Sequence, residues 1–170
     1  SLNVKCIIVG DDFRFGHNRA GDHKLLSAMA GELGYELIVV DKIKDGARDI
    51  SSTYIREEIA AGHIKKANEL LGYPFFIKGR VHGRALGRTI GIPTVNLSVP
   101  HDKLLPPKGV YMSRVLVRDN WYLGVTNIGC KPTIEGKNPI GAETYIIDFG
   151  QDVYGQDIMV ELHKFVRPEM

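Results

Sequence analysis

Val110-Tyr111-Met112-Ser113-Arg114-Val115-Leu116-Val117-Arg118, followed after Asp119-Asn120 by Trp121-Tyr122-Leu123-Gly124-Val125-Thr126-Asn127-Ile128, is the stretch on which the fold turns. Both runs are rich in β-branched and aromatic residues and carry no helical period, so each reads as a strand. Aspartate and asparagine tolerate positive φ, and the Asp119-Asn120 pair therefore predicts a two-residue hairpin turn. Residues 75–81, 142–149 and 158–165 have the same β-rich character. Strands separated by turns, with no helical segment between them, predict a small closed antiparallel barrel beyond Pro74.

Upstream of Pro74 the pattern is different. Residues 4–9 form a short continuous apolar run stopped by Gly10, which predicts a fully buried strand. A polar loop follows, and Asp22 can then cap a helix whose Leu25, Leu26, Met29 and Leu33 recur at helical spacing, with Gly34 as its stop. Residues 37–40 predict a second buried strand, completing a βαβ unit, which needs further strands and covering helices that residues 1–73 barely provide. A helix capped by Ser51 or Ser52 runs through Ile55 and Ile59 to near Gly62, and residues 64–71 make another, stopped by Gly72.

Composition sets the class. With 170 residues, 44% hydrophobic and 25% charged, the chain is neither disordered nor fibrous and has room for one large or two small domains. It has no apolar run long enough to span a bilayer, and Ser1-Leu2-Asn3-Val4-Lys5 has no secretory character, so the expectation is a cytoplasmic protein without membrane partners. The serine start reads as a piece of a longer protein. Cys6 lies in an apolar run and Cys130 in a Gly/Pro-flanked loop, which makes neither a disulfide framework nor a zinc site. Net charge is −1 over residues 1–73 and +3 over 74–170. Neither half is a polycation, so a local anion site fits better than a nucleic-acid track.

Several segments could carry chemistry. Residues 78–91 hold four cations, four glycines and no acid. Glycines let backbone N–H groups approach an anion and the cations favour phosphate, while a solvated basic hairpin would have the same composition. After Pro93 the chain should be extended, which puts Thr94 and Asn96 on one face and Val95 on the other. Hydroxyl and amide oxygens suit Mg²⁺, but a Thr-x-Asn on a solvated strand face needs no ligand. Glu143 opens an apolar strand, as a general base for a hydroxyl or as a strand-edge charge, and spacing alone favours the second. In the first half, Asp11-Asp12-Phe13-Arg14-Phe15-Gly16 follows the first strand, the usual ligand crevice of an α/β sheet. Ser51-Ser52-Thr53 opens a helix whose free N–H groups attract phosphate, with Arg56 one turn on, although capping alone accounts for the serines.

Taken in order, these stretches resemble the bacterial bifunctional riboflavin kinase/FAD synthetase family. The first part of the resemblance rests on residues 9–16, on Arg19-Ala20-Gly21-Asp22 and on Ile50-Ser51-Ser52-Thr53-Tyr54-Ile55-Arg56. The second rests on Gly91-Ile92-Pro93-Thr94-Val95-Asn96-Leu97, Gly109-Val110-Tyr111, Gly124-Val125-Thr126-Asn127-Ile128-Gly129, Lys131-Pro132-Thr133, Glu143-Thr144-Tyr145-Ile146 and Phe165-Val166-Arg167-Pro168-Glu169. The resemblance implies a partial Rossmann-like α/β nucleotidyltransferase segment over 1–73, followed over 74–170 by an antiparallel six-stranded β-barrel that phosphorylates riboflavin to FMN with ATP and Mg²⁺.

By the same resemblance Glu143 takes the hydroxyl proton, Thr94 and Asn96 hold the metal and the ATP phosphates, and the loop with Gly83, Gly87, Arg88 and Thr89 folds over the nucleotide. Asn127 and Thr133 lie near the flavin or the reacting groups. Asp12, Phe13, Arg19, Ser52, Thr53 and Arg56 are what is left of the adenylyltransferase site. The family's His-x-Gly-His motif occurs at none of the six histidines, so FMN adenylylation by this chain is not expected, and the helix that follows the Arg-Pro-Glu end in the family is missing. The expected partners are the small molecules ATP, riboflavin and FMN. A non-catalytic flavin- or nucleotide-binding module is the competing reading. An oligonucleotide-binding barrel has less support, given 8% aromatic residues and modest charge.

Overall fold

The computed structural model describes residues 3–82, 94–100, 102–130 and 140–169, in two compact units, Ser1–Ile50 and Ser51–Met170. Each unit is best understood from its own core.

In the first unit, β1 (Cys6–Gly10) pairs in parallel with β4 (Glu36–Val40), and α1 (His23–Leu33) makes the crossover between them. Two short ribbons, β2 (Arg14–Phe15) with β3 (Gly21–Asp22) and β5 (Lys44–Asp45) with β6 (Arg48–Asp49), shape the loops. The helix boundaries follow the sequence: Asp22 accepts a hydrogen bond from the Leu25 amide, and Gly34 ends the helix at φ 70°. Burial does not follow it. Ile8 is 66% exposed and Val40 50%, and only Val9 is buried, so the two strands are not the fully buried ones that their composition predicts. Two strands and one helix cannot cover both faces of a sheet.

The Asp22 cap has a measurable consequence. Its hydrogen bond from Leu25, aided by Arg14, holds the carboxyl below its ordinary value. A carboxylate with a lowered folded-state pKa stabilises the fold above its unfolded value of about 3.9, and that contribution is lost as pH falls through the folded value. The Leu25 amide signal in an NMR pH titration is therefore expected to move at acid pH, and Asp22→Asn to abolish that movement while keeping the helix start.

The second unit begins with α2 (Ser52–Ala60) and α3 (Ile64–Leu71). Six strands follow: β7 (Phe75–His82), β8 (Thr94–Leu97), β9 (Gly109–Val117), β10 (Asn120–Cys130), β11 (Ile140–Ile146) and β12 (Asp157–Pro168). They close into an antiparallel barrel in the order β10-β11-β8-β7-β12-β9. Alternate residues point inward, and Ile77, Leu97, Tyr111, Val115, Ile128, Val160 and Leu162 fill the interior. Ile59, Ile64 and Ala67 of the helices join the same core. Asn68 fastens α3 to the barrel: its amide donates to the Leu162 carbonyl at 2.9 Å and accepts from the Phe75 N–H at 2.7 Å. The compact-unit boundary therefore falls at Ile50/Ser51, earlier than the change of sequence pattern at Pro74.

Three local details differ from expectation. The hairpin turn lies one residue earlier, at Arg118 (φ 47°) and Asp119 (φ 68°), and Asn120 already pairs with Val117 as strand. Arg118 accepts the left-handed conformation while its guanidinium donates to Gln156 Oε1 at 3.0 Å. Strand β11 ends at Ile146, because Asp148 turns at φ 54° and sends Phe149 edge-on against Tyr122. Cys130 is the last residue of β10 and not a loop residue. No helix among the described residues is long and apolar enough to cross a membrane.

Candidate functional site

The barrel's pairing register builds a site that sequence spacing could only suggest. Adjacent partners run His82 to Asn96, Asn96 to Glu143, Glu143 to Asn127, Asn127 to Val110 and Val110 to Arg167. One row thus crosses β7, β8, β11, β10, β9 and β12 on the outer surface, and its middle is three polar side chains from three strands. Neighbours in such a row have Cβ atoms about 5 Å apart, close enough to act on one ligand.

Thr94 lies on the same face as Asn96, as alternation after Pro93 requires, while Val95 and Leu97 point into the core. The Thr94 hydroxyl donates to Glu143 Oε1 at 2.6 Å. Glu143 is partly buried, in the fourth position of β11, so it is a mid-strand acid rather than the opening residue of the strand. Its paired neighbours on both sides, Asn96 and Asn127, supply amide groups. The structure therefore brings Thr94, Asn96, Glu143 and Asn127 together.

The row continues toward the end of β12. Asn127 Nδ2 donates to Glu169 Oε1 at 3.5 Å. Gly129, two residues further on the same strand, leaves the room this needs, since a Cβ there would sit 2.1 Å from Glu169 Oε1. Lys108 is held above its ordinary pKa by a hydrogen bond with the Cys130 sulfur and by the nearby Glu169 charge. Beside Thr94, on the other flank, a recess is lined by Ile146, Phe149, Val153 and Tyr154.

The described part of the basic segment has a structural task. Lys78, Gly79, Arg80, Val81 and His82 are strand residues of β7, and Arg80 Nε donates to the Gly155 carbonyl at 2.8 Å. Gly79 lets β7 pass close to Ser98, whose carbonyl oxygen would lie 2.4 Å from a Cβ at that position. His82 Nδ1 is 3.0 Å from Ser98 Oγ. Gly83, Gly87, Arg88, Thr89 and Thr133 lie outside the described residues.

The candidate residues of the first half are divided between the units. Asp12 pairs with Lys42 at 2.9 Å, Phe13 stacks on Phe15 with centroids 5.8 Å apart, and Arg19 turns at φ 58°. On α2 it is Ser51 that caps, accepting from the Tyr54 amide at 3.2 Å. Ser52, Thr53 and Arg56 are exposed in the first turns of that helix.

Sequence reading missed His82 and Glu169 as neighbours of this row. Both stand in segments it quoted, but only the pairing register and the Gly129 vacancy bring them alongside.

Comparison with known proteins finds matches to both parts of the chain. The riboflavin kinase family model matches residues 71–170, and the FAD synthetase model matches residues 1–54. Three similar relatives are each named bifunctional riboflavin kinase/FMN adenylyltransferase. The one from Listeria monocytogenes is 37% identical, over 100% of this chain and 54% of its own length. Those from Escherichia coli K12 and Bacillus subtilis are 42% and 41% identical, over 99% of this chain and 54% of theirs. The chain thus spans about half the length of the curated relatives it matches. A crystal structure described as a macrolide-efflux protein from Streptococcus pneumoniae superposes with a TM-score of 0.82 at 35% identity, over 97% of this chain and 53% of that one.

Proposed function

From the premise that this chain belongs to the riboflavin kinase family, we propose that its barrel transfers the γ-phosphoryl group of ATP to the terminal ribityl hydroxyl of riboflavin, giving FMN and ADP. The observation that carries this reading is the Thr94–Glu143 hydrogen bond, set in a row with Asn96 and Asn127. Glu143 accepts the proton of the attacking hydroxyl as the new O–P bond forms and the bond to the ADP oxygen breaks. The Thr94 hydroxyl fixes the orientation of that carboxylate, and the amides of Asn96 and Asn127 orient the groups on either side of it. Phosphoryl transfer asks a protein mainly for positioning and charge neutralisation, which is what a short polar row on rigid strands supplies.

The donor set suits Mg²⁺. Among the described residues no three His, Cys, Asp or Glu side chains cluster as a metal cage. A hydroxyl, an amide oxygen and one carboxylate match an ion that keeps several waters and shares substrate phosphate oxygens. Thr94 and Asn96 would hold it, and it would neutralise phosphate charge when bound. We assign Gly83, Gly87, Arg88 and Thr89 to binding the ATP phosphates and Thr133 to the flavin or reacting-group side.

For residues 1–73 we propose kinship with FMN adenylyltransferase domains, with Asp12, Phe13 and Arg19 of the first unit and Ser52, Thr53 and Arg56 of α2 as the site residues this stretch carries.

The test is a chromatographic assay of the purified chain with riboflavin, ATP and Mg²⁺. FMN and ADP are expected in equal amounts, with FMN formation abolished by EDTA and restored by excess Mg²⁺. Calorimetric binding of ATP and riboflavin with no product would overturn the kinase reading in favour of a binding module.

A further inference from the structure

Directly behind the polar row, inside the barrel, three hydroxyls form a chain. Thr126 Oγ1 donates to Ser113 Oγ at 2.8 Å and lies 2.9 Å from Thr144 Oγ1. A hydroxyl has one proton to give, so the order of donation is Thr144 to Thr126 to Ser113. Thr126 and Thr144 are 0% exposed and Ser113 is 4% exposed. Gly124 makes room for the Ser113 side chain, since a Cβ there would sit 3.0 Å from its Oγ. Among the described residues the other buried side chains that carry polar atoms are Glu161, Tyr54 and Tyr111, whose hydroxyl donates to the Pro107 carbonyl, so these three hydroxyls stand in a mostly apolar interior.

Their placement relates them to the site. Thr126 and Thr144 are paired directly across β10 and β11, and the next pair along is Asn127 with Glu143. A slip of one residue between these strands would turn the core outward and is forbidden by burial alone. A slip of two residues would keep every side chain on its own face. It would set Thr126 opposite Ala142 or Ile146, and Asn127 opposite Gly141 or Tyr145. Apolar contacts discriminate weakly against that slip, but a hydroxyl stranded in a dry interior costs its full desolvation. Such buried polar pairs are known to set register in other packings, where apolar replacements are often no less stable.

We infer that the Ser113–Thr126–Thr144 chain is a register lock that holds Asn127 against Glu143, making these three positioning residues for the phosphoryl transfer proposed above, on which the catalytic part of this inference rests. The expected signature is that stability and turnover separate. Valine has the shape of threonine and alanine lacks only the serine Oγ, so apolar replacement removes all three hydroxyls together and leaves no polar group stranded.

The decisive variant is Ser113→Ala/Thr126→Val/Thr144→Val in the whole chain. Its thermal midpoint is expected to be unchanged or raised. Its kcat for FMN formation is expected to fall about tenfold or more, with KM for ATP within about twofold, because misplacement of reacting groups costs rate rather than nucleotide affinity. Backbone amides of residues 126–128 and 143–145 are expected to exchange with solvent about tenfold faster, as local opening toward the slipped register becomes easier. Thr126→Ser, which keeps the hydroxyl, is expected to retain kcat where Thr126→Val loses it. Wild-type turnover and exchange in the triple variant would overturn the inference. So would a loss of turnover matched by a lower midpoint and faster exchange throughout the barrel. If the unsubstituted chain makes no FMN, the kinase reading fails, and exchange at these six amides still decides whether the lock exists.

Discussion

Glu143→Gln is expected to lower kcat for FMN formation by about 10²–10⁴-fold, the usual contribution of a positioned general base. The substitution is nearly isosteric, and the amide oxygen of glutamine can still accept the Thr94 hydroxyl proton, so the hydrogen bond seen at 2.6 Å has a replacement. Folding and ATP binding should therefore be retained, with Kd for ATP within about threefold, while the group that takes the hydroxyl proton is gone. Thr94→Val separates the two roles of this pair further. It leaves the carboxylate but removes its hydrogen bond and one candidate metal oxygen, and is expected to impair both kcat and the Mg²⁺ requirement. Stopped-assay kinetics at saturating riboflavin check both variants, and turnover within about threefold of wild type for Glu143→Gln would remove this residue from the base role.

The second large effect is on stability. Gly109 begins β9 at φ 151°, a conformation that side-chain-bearing residues rarely adopt. A Cβ there would meet the Arg167 carbonyl oxygen at 2.5 Å and the Phe165 ring at 2.7 Å, where β9 and β12 close the barrel. Gly109→Ala thus adds backbone strain to a clash with main chain that has little freedom to retreat. Together these are expected to cost about 3 kcal/mol. Loss of that size should lower the barrel's thermal midpoint by about 12 °C, measurable by near-ultraviolet circular dichroism, which reports the Tyr111–Phe165 edge-to-face pair at 5.2 Å. An unchanged midpoint would mean that β9 and β12 separate more easily at this point than their close approach implies.

Much of the architecture is legible in the residue order because its causes are local. Asp22 and Gly34 bound α1, and Ser51 and Gly72 bound the α2–α3 pair, because capping and positive φ are properties of individual residues. Period-two burial marks β9 and β10, and the same alternation along β8 puts Thr94 and Asn96 on one face. What failed locally failed for a tertiary reason. Arg118, not Asn120, takes positive φ because the register pairs Asn120 with Val117 and leaves Arg118 and Asp119 to make the turn, and the strands of the first unit are exposed because one helix cannot cover both faces of their sheet.

The candidate site divides the same way. The ordered motifs named Thr94, Asn96, Glu143 and Asn127 and the class of chemistry, since hydroxyl, amide and carboxylate carry their properties wherever they stand. That Glu143 lies between Asn96 and Asn127, that Thr94 bonds to it, and that Glu169 reaches Asn127 across the space left by Gly129 are consequences of barrel closure and strand register. By itself the sequence determined the elements, the barrel and the reactive residue types, through interactions between near neighbours in the chain. Only the tertiary structure decided which of those residues meet, because register is set by pairings between residues up to dozens of positions apart and, inside this barrel, by the buried hydroxyls of Ser113, Thr126 and Thr144.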